Sequence, residues 1–374
     1  MRRRLFPILM LGAVFMALVS APIVAADSGG RIGAVYTLTN EAGGNRVAAF
    51  KRDADGSLTP AGSYPTGGSG SGGGLGSQGA VVLSDSGRLL VAVNAGSNDI
   101  SSFLVQNDGT LALADRIGSG GVRPISVTIH EDLVYTLNAG DTGNISGFTV
   151  GADGSLALLP GSTRPLSSTA AGPAQVEFNP DGSVLVVTEK MTNLISTYTV
   201  GVDGIATGPN AQASAGATPF GFAFDKRGRL FVSEAFGGAA DASATSSYNL
   251  SPSGSLSVVS PSVGTTETAA CWVVVTGNGR FAYVTNTGSG TVSGYSIDQD
   301  GGLTLLDTDG VTAVTGAGSS PIDADVSHNS RFLFVLNAGT HSIAGFRING
   351  GDGSLTAVSE AFGLPASSVG LASS

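Results

Sequence analysis

The chain has one cysteine, three histidines and one tryptophan in 374 residues, and lysine is scarce. Each shortage closes a class of explanation. A lone thiol, Cys271, has no partner for a disulfide, so the fold is not held by covalent staples. Three scattered histidines leave little from which to build a Ser-His-Asp arrangement. With 18 basic residues against 28 acidic ones, nothing would neutralise a phosphate backbone, and no nucleic-acid partner is expected. No long apolar run occurs after about Ala26, and no convincing 3.6-residue period occurs outside the first residues.

Those first residues form a unit of their own. Arg2, Arg3 and Arg4 precede an uncharged apolar stretch from Leu5 to about Ala26, which ends in the small residues "VAA" (24–26). That order reads as a secretory signal peptide over 1–26, leaving 27–374 as the mature chain in the periplasm or outside the cell. The alternative is an uncleaved anchor, because the run is nearly long enough to span. After cleavage no membrane span is expected.

What is abundant is glycine, at 57 residues, with much serine, threonine and valine. Apolar residues make up 41% of the chain and alternate with period two, which is a turn-rich β composition. A repeat organises it. A "V-x-N"-like phrase recurs at Asn40, Asn94, Asn138, Glu189, Glu234, Asn286 and Asn337, at spacings of 44 to 54 residues. Seven copies at about fifty residues match the blades of a β-propeller. Each copy offers an inner strand, often after proline, as in "PISVTI" (124–129). A tight turn and a second strand ending at the marker follow, then a third strand and a fourth. Asp-Gly joins the last two in six copies, and Ser253-Gly254 does so in the other. Glycine supplies the positive φ that a tight hairpin needs. The expected fold is therefore all-β, a seven-bladed propeller of four-stranded antiparallel blades.

The first copy, "RIGAVYTLTN" (31–40), is already a second strand. The chain ends in "LPASSVGLAS" (364–373), an inner strand with nothing after it. The C-terminal strand should join the N-terminal blade and close the ring. The glycine-rich stretch 66–79 reads as a loop between blades, and "EAFGGAADASATSS" (234–247) as an insertion in the fifth blade.

Alignment of the inner strands predicts two rings of channel-facing residues. One holds Ala80, Ser126, Gln175, Gly221, Trp272, Asp323 and Ser367. The next holds Val82, Thr128, Glu177, Ala223, Val274, Asp325 and Val369. The longer loops share one face, so a small-molecule site is expected at the channel mouth there. Candidate ligand-binding residues are Arg123, Ser126, Phe220, Glu234, Trp272, Asp323 and His341, with Lys190 nearby. Trp272 could stack on a ring or plug the channel. Glu189 and Glu234 break the asparagine series; each could be a general base or a solvated carboxylate. No cofactor or metal is required, although Asp323, Asp325 and Glu177 could gather a hard cation such as calcium through oxygen ligands. Cys271 lies in the apolar strand "ACWVVV" (270–275) and reads as buried.

Blade count, inner-strand phrases and "DGSL" turns together resemble the seven-bladed propeller lactonases. These include propeller 6-phosphogluconolactonases and carboxymuconate lactonising enzymes. "AYVTNTGSGTVSGYSID" (282–298) resembles the YVTN repeat of exported propellers. The resemblance implies lactone hydrolysis at the channel mouth. The family's active-site phrase is Gly-Pro-Arg-His, an apolar strand, then Asn-Glu. "GPAQVEFNPDGSVLVVTE" (172–189) stands in its place. Gly172, Pro173 and Glu189 match, while Ala174 and Gln175 replace the arginine and histidine. The resemblance thus implies Glu189 as the water-activating base and Gln175 as a donor to the carbonyl oxygen. The substrate would be an unphosphorylated lactone. The alternative is a non-catalytic exported propeller that binds a ligand or protein partner.

Overall fold

The computed structural model describes residues 33–374. The expected signal segment 1–26 lies outside the described residues. Seven antiparallel sheets follow one another along the chain, each with a four-stranded path. Their inner strands touch in cyclic order and form a closed ring. From blade 2 to blade 7 the inner strands are Val81–Leu83, Pro124–His130, Pro173–Phe178, Pro219–Phe224, Ala270–Val275 and Pro321–Val326. Blade 1 takes its inner strand, Val369–Ser373, from the far end of the chain. Val35 pairs with Ser373, Tyr36 with Ala372, Thr37 with Leu371 and Leu38 with Val369. The closing strand is shorter than expected. Ser367 precedes it, and its hydroxyl donates to the Thr39 carbonyl at 2.7 Å instead of facing the channel. Gly370, at φ +73°, bulges past the Ala80 side chain, where a Cβ would approach to 3.0 Å.

Alternation along the second strands builds the core. Tyr36, Tyr135, Tyr283, Phe231 and Phe334 are among the largest fully buried side chains, and each packs between neighbouring sheets. Among the described residues the one helical turn is Phe236–Gly238, in the expected insertion of blade 5. That insertion is shorter than the sequence implies, because residues 244–247 already belong to the third strand, Ala244–Leu250.

The turn glycines do more than reverse the chain. Their carbonyls each accept a hydroxyl from the preceding blade, all around the ring. Ser359 reaches Gly56, Tyr36 reaches Gly109, and Ser102 reaches Gly154, at 2.9, 2.9 and 2.6 Å. Tyr135 reaches Gly204, Thr197 reaches Gly254, Ser247 reaches Gly301, and Tyr283 reaches Gly353, at 2.7 to 2.8 Å. Positive φ turns these carbonyls toward the neighbour. Blades that share no β-ladder are thus tied by main-chain acceptors.

Candidate functional site

A second set of inter-blade bonds fills the channel. The Ser126 hydroxyl accepts the Val176 N–H and the Thr128 hydroxyl accepts the Phe178 N–H, both at 3.2 Å. The Gln175 amide pairs at both ends with Phe222 of the next blade, accepting its N–H at 2.7 Å and donating to its carbonyl at 2.9 Å. The next ring position is Gly221, which has no side chain to do the same. Gln78 supplies the missing amide from across the channel. It accepts the Val273 N–H at 3.2 Å and donates to the Val273 carbonyl at 2.9 Å. A Cβ on Gly221 would lie 2.2 Å from the Gln78 oxygen, so glycine is required for Gln78 to reach its partner.

The glycine-rich loop is therefore an inter-blade loop, as its sequence predicts, and also a fixed stopper. Ser77 donates to the Ile125 carbonyl at 2.7 Å and accepts the Trp272 indole N–H at 2.9 Å. Trp272 is only 5% exposed. Of its two sequence readings, the channel plug is the one its burial fits.

The Gln175 amide and the Glu189 carboxylate each hold partners of their own. The Gln175 amide is committed to Phe222 and, at 2.7 Å, to Glu177. Glu189 is 0% exposed. Its carboxylate accepts the Ser167 N–H at 3.1 Å, the Thr192 hydroxyl at 3.0 Å, the Ser196 hydroxyl at 2.8 Å and the Ser167 hydroxyl. Glu234 is likewise fully buried. It accepts from Gly216 N–H, Ser246 and Ser262 at 2.5 to 2.8 Å. Burial pushes its carboxyl up, against the pull of those donors. Neither glutamate is a solvated carboxylate; each is buried and held by hydroxyl and N–H donors. Both do what asparagine does in the sister blades. Asn94 donates to Ser101 at 2.8 Å and Asn286 to Ser293 at 2.8 Å. A hydroxyl both donates and accepts, so Ser196 turns its proton toward Glu189 where Ser101 turns a lone pair toward Asn94. Glu189→Gln should then lower stability by about 2–3 kcal/mol, because an amide cannot accept four donors in a buried site. Chemical melts of both proteins would check this, and an unchanged midpoint would refute the role.

Deeper in the channel stand Glu177, Asp323 and Asp325. Asp323 is 1% exposed; one of its oxygens accepts the Ala324 N–H at 2.8 Å, and the other has no partner among the described residues. Burial pushes the Asp323 carboxyl well up, with Asp325 adding to the push. Burial also raises Asp325 to about 6, against the Ser373 N–H it accepts at 2.6 Å. Glu177 rises to about 8, through burial first and the Asp325 charge second. Among the described residues no three acidic, histidine or cysteine side chains converge closely enough to hold a metal ion.

At the mouth the arrangement differs. Lys190 follows Glu189 and lies over the Phe220 ring, with Nζ 4.5 Å from the centroid. Phe220 packs on Trp272 at 5.0 Å between ring centres. The Lys190 ammonium donates to the Gly76 carbonyl. Burial lowers it to about 8; the Cys271 thiol opposes that shift and Arg123 adds to it. Cys271 is buried, as expected, and burial pushes it up to about 11. Arg123 is exposed at the start of blade 3, and its backbone N–H is held by Asn98 at 2.8 Å. His341 is exposed in the hairpin loop of blade 7, at φ +53°, and makes no side-chain hydrogen bond among the described residues. Ser126, Glu234 and Asp323 belong to the frame, whereas Phe220, Lys190 and Arg123 form the mouth. Gln78 escaped sequence reasoning, although one sign was visible: blade 2 lacks the proline that opens most inner strands.

The profile described as "Lactonase, 7-bladed beta-propeller" matches residues 33–165 and 239–369. Among solved structures, a Lactobacillus plantarum protein aligns with TM-score 0.71 at 19% identity, over 92% of this chain and 99% of its own. A Bacteroides fragilis protein provisionally classed as a 6-phosphogluconolactonase aligns with TM-score 0.68 at 19% identity, over 93% and 99%. The Pseudomonas aeruginosa periplasmic gluconolactonase aligns with TM-score 0.66 at 16% identity, over 90% and 98%. At these identities the likeness is one of fold. No curated protein sequence matches the chain.

Proposed function

Because this chain belongs to the seven-bladed propeller lactonases, we propose that it is an exported member whose channel mouth binds an unphosphorylated lactone or the hydroxy acid formed from it. One observation carries this reading. The groups that would drive hydrolysis are bonded into the frame, while Lys190 and Phe220 remain at the mouth above a closed channel. Recognition is what such a mouth can do. Export rests on the signal-like first 26 residues, and the periplasmic setting of the Pseudomonas relative agrees with it. The unphosphorylated substrate class is supported by the acidic chain and by Ala174 standing where the family carries an arginine.

Trp272 is the sole tryptophan and packs under Phe220, so its fluorescence reports on the mouth. Purified protein should show a saturable fluorescence change with D-glucono-δ-lactone or D-gluconate, lost in Phe220→Ala. Absence of any binding across aldonolactones, acyl lactones and their hydroxy acids would overturn the reading. Hydrolysis is the second reading, favoured by family membership. Turnover that vanishes in a folded Glu189→Gln protein would reinstate that residue as the base.

A further inference from the structure

We infer that the mouth is built for a single carboxylate, with Lys190 as its anchor and the Phe220 ring, backed by the buried Trp272, as the bed for the ligand's body. The inference rests on the mouth being the ligand site and goes beyond it by naming the charge of what is held. An ammonium has three N–H donors. That of Lys190 spends one on the Gly76 carbonyl and rests against a ring face. Taking a charge out of water is costly unless it is paired. Among the described residues ion pairs join Lys51 to Asp53, Arg116 to Asp99 and Arg229 to Asp225, and none involves Lys190. Glu189, its neighbour in sequence, is consumed by its own hydroxyls. The ionisable groups that act on Lys190 are Cys271, from the blade 6 inner strand, and Arg123, at the start of blade 3. The glycine-rich loop and the Phe220 strand contribute no charge. A cationic mouth with unused donors has therefore been left without an anion.

Charge limits the choice of anion. The chain as a whole carries −10, so a dianion is repelled at long range more than a monoanion. Trp272 is buried beneath Phe220 and its N–H is already given to the Ser77 carbonyl, so it offers the ligand no donor, and Phe220 presents the ring surface. A small monocarboxylate with a ring or compact body fits this combination, and a neutral lactone makes less use of it.

The proton balance supplies a test that simple packing would not satisfy. Burial holds Lys190 near 8. A carboxylate beside it favours the charged form, so binding at pH 8 draws a proton from the buffer. Affinity should be level below pH 8 and fall above it. Calorimetric titration of the full mature chain with D-gluconate and with benzoate, in Tris and in HEPES at pH 8, should give heats that differ by an uptake of about half a proton. D-glucono-1,5-lactam, an uncharged analogue that does not open to the acid at this pH, should show no such difference, and inorganic phosphate should bind more weakly. Lys190→Met should weaken carboxylate binding by about tenfold or more, as expected for loss of a charge-assisted bond. Lys190→Arg should keep binding and lose the buffer dependence, since guanidinium does not titrate there. Carboxylate binding by a folded Lys190→Met protein at the original affinity would overturn the inference, as would binding without proton uptake. If only the lactam binds, the mouth stands as a site and the carboxylate assignment fails. If neither binds, both fail.

Discussion

Removing residues 369–374 should abolish the cooperative melt and send the protein into aggregates. The segment is the inner strand of blade 1, and its Val369, Leu371 and Ala372 are buried. Without it, Gly33–Leu38 becomes an unpaired edge, and the ring opens between blades 7 and 1. Asp325 loses the Ser373 N–H, and Ala34 loses its bonds to Ser374, the two shortest of which run at 2.8 and 2.9 Å. The loss is on the order of 5 kcal/mol or more, comparable with the whole stability of an ordinary domain. A Ser359→Ala protein removes only the hydroxyl tie to Gly56 at the same junction and should still melt cooperatively, about 1 kcal/mol less stable. Calorimetry of the three proteins would decide. A truncated chain that melts like the intact one would remove the closing strand from its role.

Stability should fall as pH rises from about 4 to about 8, by on the order of 2–5 kcal/mol. The sign follows from the channel acids. Unfolded carboxyls ionise near 4. In the folded ring Asp325 keeps its proton to about 6 and Glu177 to about 8, both mainly through burial. The folded state thus binds more protons across that window, and stability is lost as they leave. Below it the balance reverses. The turn aspartates Asp55, Asp108, Asp153 and Asp352 are held low by the serine or threonine two residues on, so their contribution is lost in stronger acid. Lys190, depressed to about 8, is relieved of its buried charge above that pH and partly offsets the decline. Urea midpoints between pH 4 and 9 would trace the curve, and Glu177→Gln should flatten its upper half. A level or rising profile between 4 and 8 would contradict the arrangement of the channel.

Blade number, strand order and ring closure were all readable from the sequence, because each has a local signature. Period-two alternation marks the strands, Asp-Gly marks the hairpins, and an orphan second strand at one end answers an orphan inner strand at the other. The site was less legible, for physical reasons. Glu189 and Glu234 stand out in sequence as breaks in an asparagine series, yet their partners are Ser167, Ser196, Ser246 and Ser262, residues too common to announce a bond. Gln175 occupies the position of a family histidine, and nothing local reveals that its amide copies a strand's main chain. Gln78 reaches Val273 at a separation of 195 residues, a contact that no periodicity encodes. Trp272 was readable as a plug or a platform, and its burial, with the Ser77 carbonyl on its indole, separates the two.

The hydroxyl bonds from blade to blade have an evolutionary consequence. Every receiving atom is a backbone oxygen, and the giving side chain comes from the second strand in Tyr36, Tyr135 and Tyr283, the third in Ser102, Thr197 and Ser247, and the fourth in Ser359. A coupling whose socket is the same everywhere, and whose plug can be mounted in three places, does not care which unit comes next. Such modules can be duplicated, shuffled or allowed to diverge one at a time without compensating changes in a neighbour.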